Sequence, residues 1–118
     1  MNKQKQNLRV VCLDGFSMSV QASSYTYCTP RIDNAKRYSA VEVGFPSEEE
    51  PLLMEWAEFR EDPTGTVYAW VPSHVVATVC AKHGGIVEGD LPPGVTHSPP
   101  RDWDAPSPGR PFTSSWND

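Results

Sequence analysis

A chain of 118 residues carrying 15 acidic and 10 basic residues, for a net charge of −5, has the length of one domain. Its acidic balance argues against broad electrostatic binding to nucleic acid, which needs clustered Lys and Arg. Three cysteines and no apolar run at the amino end give neither a disulfide framework nor a secretory pattern, and no run approaches the ~18 consecutive apolar residues of a membrane-spanning helix.

The expected setting is therefore intracellular and reduced. Residues 1–7 are expected to be a flexible amino terminus, 8–87 a compact α+β domain, and 88–118 an extended proline-rich arm. A core of that size rarely supplies more than about 3–5 kcal/mol, so oligomerisation or docking on a partner is expected.

In chain order, "LRVVCLDGFSMSVQ", Leu8 to Gln21, holds two short apolar runs around Asp14-Gly15, a dipeptide suited to a hairpin turn with Gly15 at positive φ. In the second run Phe16, Met18 and Val20 alternate with Ser17, Ser19 and Gln21, the period of a strand with one buried face. "SSYTYCTPRIDNAKRY" reads as a loop, since Pro30 disfavours helix at Thr29 and Asp33-Asn34 suits a turn.

"YSAVEVGF", Tyr38 to Phe45, returns to strand alternation and Pro46 ends it. Ser47 followed by Glu48, Glu49 and Glu50 reads as an exposed helix start, with Leu52, Leu53, Trp56 and Phe59 as the apolar face. Pro63 and Gly65 close that segment, and "TVYAWVP" is a fourth strand. The whole is a small, mainly antiparallel sheet with one or two helices.

A helix from about Ser73 to His83 places Val75, Val76, Val79, Cys80 and His83 within one arc of roughly 140°. Cys80 then reads as a small buried hydrophobe, and His83 closes the last turn before Gly84 forms a left-handed cap. A zinc site built from Cys12, Cys28, Cys80 and His83 is supported by stoichiometry alone, because no paired C-x-x-C spacing accompanies it. His74 points to nearly the opposite face.

No metal, no cofactor and no catalytic residue is assigned. The serines sit in no G-x-S-x-G elbow, no carboxylate stands at a diagnostic spacing from a histidine, and a Cys28 nucleophile with His83 as base needs a fold that brings them together.

From Glu88 onward the composition changes, with seven of the 12 prolines in the last 31 residues, which excludes helix and central strand. Trp103, Phe112 and Trp116 lie in this arm and are expected to dock into grooves, since polyproline conformation lowers the entropy lost on binding. Upstream, Tyr25, Tyr27 and Trp70 are candidate contact aromatics, against the commoner reading of strand-spaced aromatics as core and sheet surface. Arg31 and Arg37, with Lys36, are the one local group of cations. They suit either a phosphate contact or a solvated loop.

On the strings "DGFSMSVQAS", "YCTPR", "VEVGFPS" and "TVYAWVPSHVVATVCAKHGG", the chain resembles a group of small, largely uncharacterised proteins of tailed bacteriophages, over about residues 9 to 87. That group carries no active-site motif to transfer, so the resemblance implies a setting, the host cytoplasm, and no mechanism. It implies a non-enzymatic binding protein that inhibits a host defence component or holds a nucleotide signal. Its surface would be formed by Tyr25, Tyr27, Arg31, Arg37 and Trp70, with Trp103, Phe112 and Trp116 from the arm, and a homo-oligomer is compatible with it. The alternative is a structural or accessory virion protein whose arm docks on neighbouring subunits.

Overall fold

The computed structural model describes residues 6–96. Its sheet has five strands: β1 (Val10–Cys12), β2 (Ser17–Gln21), β3 (Ala40–Gly44), β4 (Val67–Pro72) and β5 (Ile86–Glu88). They lie in the order β4-β3-β2-β1-β5, and every pairing is antiparallel. A single α-helix among the described residues, α1 (Ser73–Lys82), joins β4 on one edge to β5 on the other. The α+β class and mainly antiparallel sheet expected from the alternation are what the chain forms; β5 was not foreseen.

The first hairpin turns at Leu13, Asp14 and Gly15, closed by the Cys12 N–H donating to the Phe16 carbonyl at 2.8 Å. Gly15 has φ +96°, and the Asp14 carboxylate accepts from the Phe16 N–H at 2.9 Å, which is the Asx chemistry that favours aspartate there. The expected alternation holds in β2, where Met18 and Val20 are fully buried. Gln21 departs from it: it is buried because its amide exchanges two hydrogen bonds with the Asn7 backbone, at 2.8 and 2.9 Å.

One face of the sheet, carrying Val10, Cys12, Met18, Val20, Val41, Val43, Tyr68, Val71 and Ile86, forms the core with Val76, Val79 and Cys80 of α1 and with Leu53. Of the stripe expected on the helix, Val76, Val79, Cys80 and His83 are buried and Val75 is partly so, and Gly84 follows it at φ +95°. Beyond β5, Leu91 and Val95 pack on the core, and the Tyr38 N–H donates to the Pro93 carbonyl at 2.8 Å. No helix among the described residues is long and apolar enough to cross a membrane.

Between β3 and β4 the expectation of an α-helix is corrected. Only a 3-10 helix, Pro51–Trp56, forms, and its cap is Glu50, whose carboxylate accepts from the Leu52 N–H at 2.9 Å. Pro51 fits the first helical position, where no N–H is needed, while the Ser47 hydroxyl is engaged elsewhere, accepting from the Ser17 N–H. At Ala57 the backbone is already extended, bridging to Tyr68, so Phe59 never joins an apolar helix face and stays exposed.

Candidate functional site

Two clusters of chemistry-bearing side chains stand out, one buried and one exposed. The buried one converges on His83. The hairpin turn supplies Asp14, the cap of the 3-10 helix supplies Glu50, and the end of α1 supplies Lys82 and His83. His83 Nδ1 lies 2.6 Å from Asp14 Oδ2 and Nε2 lies 2.7 Å from Glu50 Oε1, while Lys82 Nζ lies 2.8 Å from Glu50 Oε2.

Glu50 is 1% exposed, so the triplet Glu48-Glu49-Glu50 is not a uniformly solvated helix start: its last member is a core carboxylate. A buried carboxylate is held only by partners, and Glu50 has three, the Lys82 ammonium, the Leu52 N–H and His83.

The short contacts at both ring nitrogens favour the protonated ring, since a neutral imidazole has one N–H and only the imidazolium donates to two ionised carboxylates at once. With His83 charged, two carboxylates face two cations and the cluster is neutral. Phe16 stacks on the imidazolium with centroids 4.1 Å apart and planes 12° apart, a favourable face for a cation.

Burial opposes the charge on His83, but the hydrogen bonds to Glu50 and Asp14 outweigh it and raise the imidazole above its ordinary value. Burial likewise opposes ionisation of Glu50 and Asp14. The Lys82 contact, the Leu52 N–H and His83 hold Glu50 below its usual range, and the Phe16 N–H and His83 do the same for Asp14.

Cys12 and Cys80 are both buried beside this cluster. The hydrogen bond from Cys80 lowers the Cys12 thiol against the opposing effect of burial, and the same bond, with burial, raises Cys80. An imidazolium with both nitrogens committed to carboxylates has no lone pair with which to take a proton from a thiol. The four groups expected as conceivable zinc ligands form no metal-holding cluster among the described residues. Cys28 Sγ instead contacts the Ser23 and Pro30 carbonyls at 3.2 and 3.4 Å.

The exposed cluster is built on a β-bulge. Val41 pairs with Val71 and Val43 with Tyr68, so Ala69 and Trp70 together oppose the single residue Glu42. Tyr68 and Val71 both stay in the core, and the extra residue turns Trp70 outward, 48% exposed at φ +52°. A bulge re-aims a side chain in this way, at a cost of about 1–2 kcal/mol for a non-glycine residue in the left-handed region.

The loop before β3 is tied to the bulge at both of its peptide groups. The Trp70 N–H donates to the Tyr27 carbonyl at 3.1 Å, and the Tyr27 N–H donates to Glu42 Oε2 at 3.3 Å. The Tyr27 and Trp70 rings meet with centroids 5.0 Å apart, tilted by 35°, and the Arg31 guanidinium carbon lies 5.4 Å from the Tyr27 centroid.

Of the residues singled out in the sequence, Tyr27, Trp70 and Arg31 are therefore brought together. Tyr25 is exposed, with its N–H bonded to the Ser23 hydroxyl at 3.1 Å. Arg37 is exposed with its stem beside Gly94, and makes no ring contact with Tyr27 or Trp70 among the described residues. Trp103, Phe112 and Trp116 lie outside the described residues. Tyr38 and Tyr68 are fully buried: each hydroxyl donates to a backbone carbonyl, that of Ile32 at 2.7 Å and that of Pro63 at 2.6 Å.

Sequence reasoning missed the His83 cluster because its carboxylates, Asp14 and Glu50, lie 69 and 33 residues from His83 and no spacing announces them. The available signal was a histidine on the apolar stripe of a helix, which needs a buried partner. Compared with known proteins, the chain matches no family model, no curated protein and no solved structure.

Proposed function

We propose that this chain is a non-enzymatic binding protein that recognises its partner through the Tyr27, Trp70 and Arg31 face. The observation that carries the reading is the left-handed backbone of Trp70 in a bulge, φ +52° with the residue 48% exposed. Strain of this kind persists where the surroundings hold it and clusters at binding and catalytic sites. Here it keeps a tryptophan out of the core and against Tyr27, whose ring also carries the Arg31 guanidinium, so the face holds the three residue types that dominate interface hot spots.

The buried cluster supports a structural rather than a catalytic role for His83, since both ring nitrogens are engaged by carboxylates. The resemblance to small phage proteins supplies the setting, in which the chain acts in the host cytoplasm on a host factor or a small-molecule signal.

The test compares the affinity-tagged chain with two variants, Trp70→Ala and Leu52→Ser, the second altering an exposed apolar residue elsewhere. Each is passed through extract of phage-infected bacteria, and retained proteins and small molecules are identified by mass spectrometry. One ligand should be held by the wild type and by Leu52→Ser but lost from Trp70→Ala. Equal retention by all three chains overturns the reading.

A further inference from the structure

We propose that the Tyr27, Trp70 and Arg31 platform takes a nucleotide, the base stacking on the open part of Trp70 and a phosphate meeting Arg31; this rests on the reading of that face as the recognition surface. Its first support is the fixed π surface. The Tyr27 ring lies 5.0 Å from the indole, yet 48% of Trp70 remains exposed, and the Tyr27 carbonyl, accepting from the Trp70 N–H, and the Tyr27 N–H, donating to the Glu42 carboxylate, hold the pair in place before any ligand arrives. Aromatic surfaces of this kind stack nucleobases without regard to base identity.

The second support is charge. The segment from Tyr25 to Tyr38 carries Arg31, Lys36 and Arg37 against the single acid Asp33, in a chain whose net charge is −5. Asp33 is itself occupied, accepting from the Ser24 N–H at 2.8 Å. Arg31, Lys36 and Arg37 form no ion pair among the described residues. Arg31, in no ion pair among the described residues and lying over the Tyr27 ring on an otherwise acidic protein, complements an anion that also has a flat face.

The same charge sets the ligand's size. A long strand adds a phosphate for every nucleotide and meets the acidic remainder of the surface, whereas one or two phosphates can be met by Arg31, with the adjacent Glu42 carboxylate already engaged by the Tyr27 N–H. A free mono- or dinucleotide is therefore favoured over a polynucleotide.

The experiment is isothermal titration of the full chain with AMP, cyclic di-AMP, a six-nucleotide oligo-dA strand, adenosine and inorganic phosphate, repeated on Trp70→Ala, Tyr27→Ala and Arg31→Ala. Cooperative melting transitions above the assay temperature establish that each variant folds, and Arg31, lying at the surface, keeps the test valid if Trp70→Ala does not. AMP or cyclic di-AMP should bind more tightly than adenosine or phosphate alone, and each variant should weaken that binding about tenfold or more. Tighter binding of the strand than of either small nucleotide overturns the preference for a free ligand. Absence of nucleotide binding at about 1 mM, together with a Trp70-dependent protein partner from the extracts, sinks the nucleotide and leaves the recognition face standing. Nucleotide binding that all three variants retain puts the nucleotide elsewhere and sinks this proposal, and equal retention by Trp70→Ala in the extract experiment sinks the recognition face as well.

Discussion

His83 Nε2 and Glu50 Oε1 lie 2.7 Å apart inside the protein, where the histidine is 6% and the glutamate 1% exposed. This contact joins the end of α1 to the cap of the 3-10 helix, and the second nitrogen of the same ring ties both to the first hairpin through Asp14. Elements distant in sequence thus meet on one imidazolium. The arrangement is a clasp, and its energetics follow from how unequally its members are buried.

Glu50→Gln should cost on the order of 3 kcal/mol, because it leaves a buried imidazolium without its inner counter-charge. Lys82→Ala should cost less than about 1 kcal/mol, since the Lys82 side chain is 44% exposed and its pairing is screened by water. Urea midpoints of the two variants measure the difference, and equal costs would mean that Glu50 is not held as an anion.

The clasp also dictates a pH dependence. His83 is raised above its ordinary 6.5, so its contribution is complete below about that pH and is lost as pH rises through the higher folded value. Asp14 and Glu50 are lowered from 3.8 and 4.5, so theirs is complete above those values and is lost as pH falls through the lower folded ones. Stability should be greatest between about pH 4.5 and 6.5. The lowered Cys12 thiol acts in the opposite sense to His83 and the raised Cys80 thiol matters only above its ordinary 9.0, so a decline from near neutrality belongs to the histidine. In His83→Gln that decline should vanish from melting curves taken across the range, and its survival would refute the assignment.

How much of this was legible in the sequence depends on the range of the interaction. Asp14-Gly15, the alternation around Met18 and Val20, and the Val76, Val79, Cys80 stripe are local signals, and each lies where it was read. The 3-10 helix was misread because Ser47 and three glutamates look like a solvated cap, whereas Pro51 moves the cap to Glu50 and Lys82 with His83 draw that carboxylate inward. In the exposed cluster the residue types were legible, but their meeting was not. It depends on a one-residue bulge opposite Glu42, which no periodicity encodes.

Gly15 offers a local check on the hairpin. A Cβ there would touch nothing within 4 Å, so space is no obstacle, but φ +96° is a conformation that β-branched residues fit badly. Gly15→Val should therefore cost roughly 1 kcal/mol or more, with part of the loss arising from a shifted turn and a weakened Asp14 to His83 contact. An unchanged denaturation midpoint would show that the turn adapts freely.

Trp70 supplies the comparison that links strain to recognition. Trp70→Gly and Trp70→Val both lose the ring contact with Tyr27 and the covered half of the indole, but glycine also relieves about 1–2 kcal/mol of left-handed strain. The glycine variant should therefore be the more stable of the two by about 1 kcal/mol, after the entropic cost of glycine in a strand. Trp70→Val loses the ring contact and puts a β-branched side chain in the same conformation, so it should be destabilised by roughly 2 kcal/mol. Denaturant titration of both variants decides the matter. A glycine variant as unstable as the valine one would refute the strain, whereas a more stable glycine variant that loses its ligand leaves recognition as the reason for holding a tryptophan there.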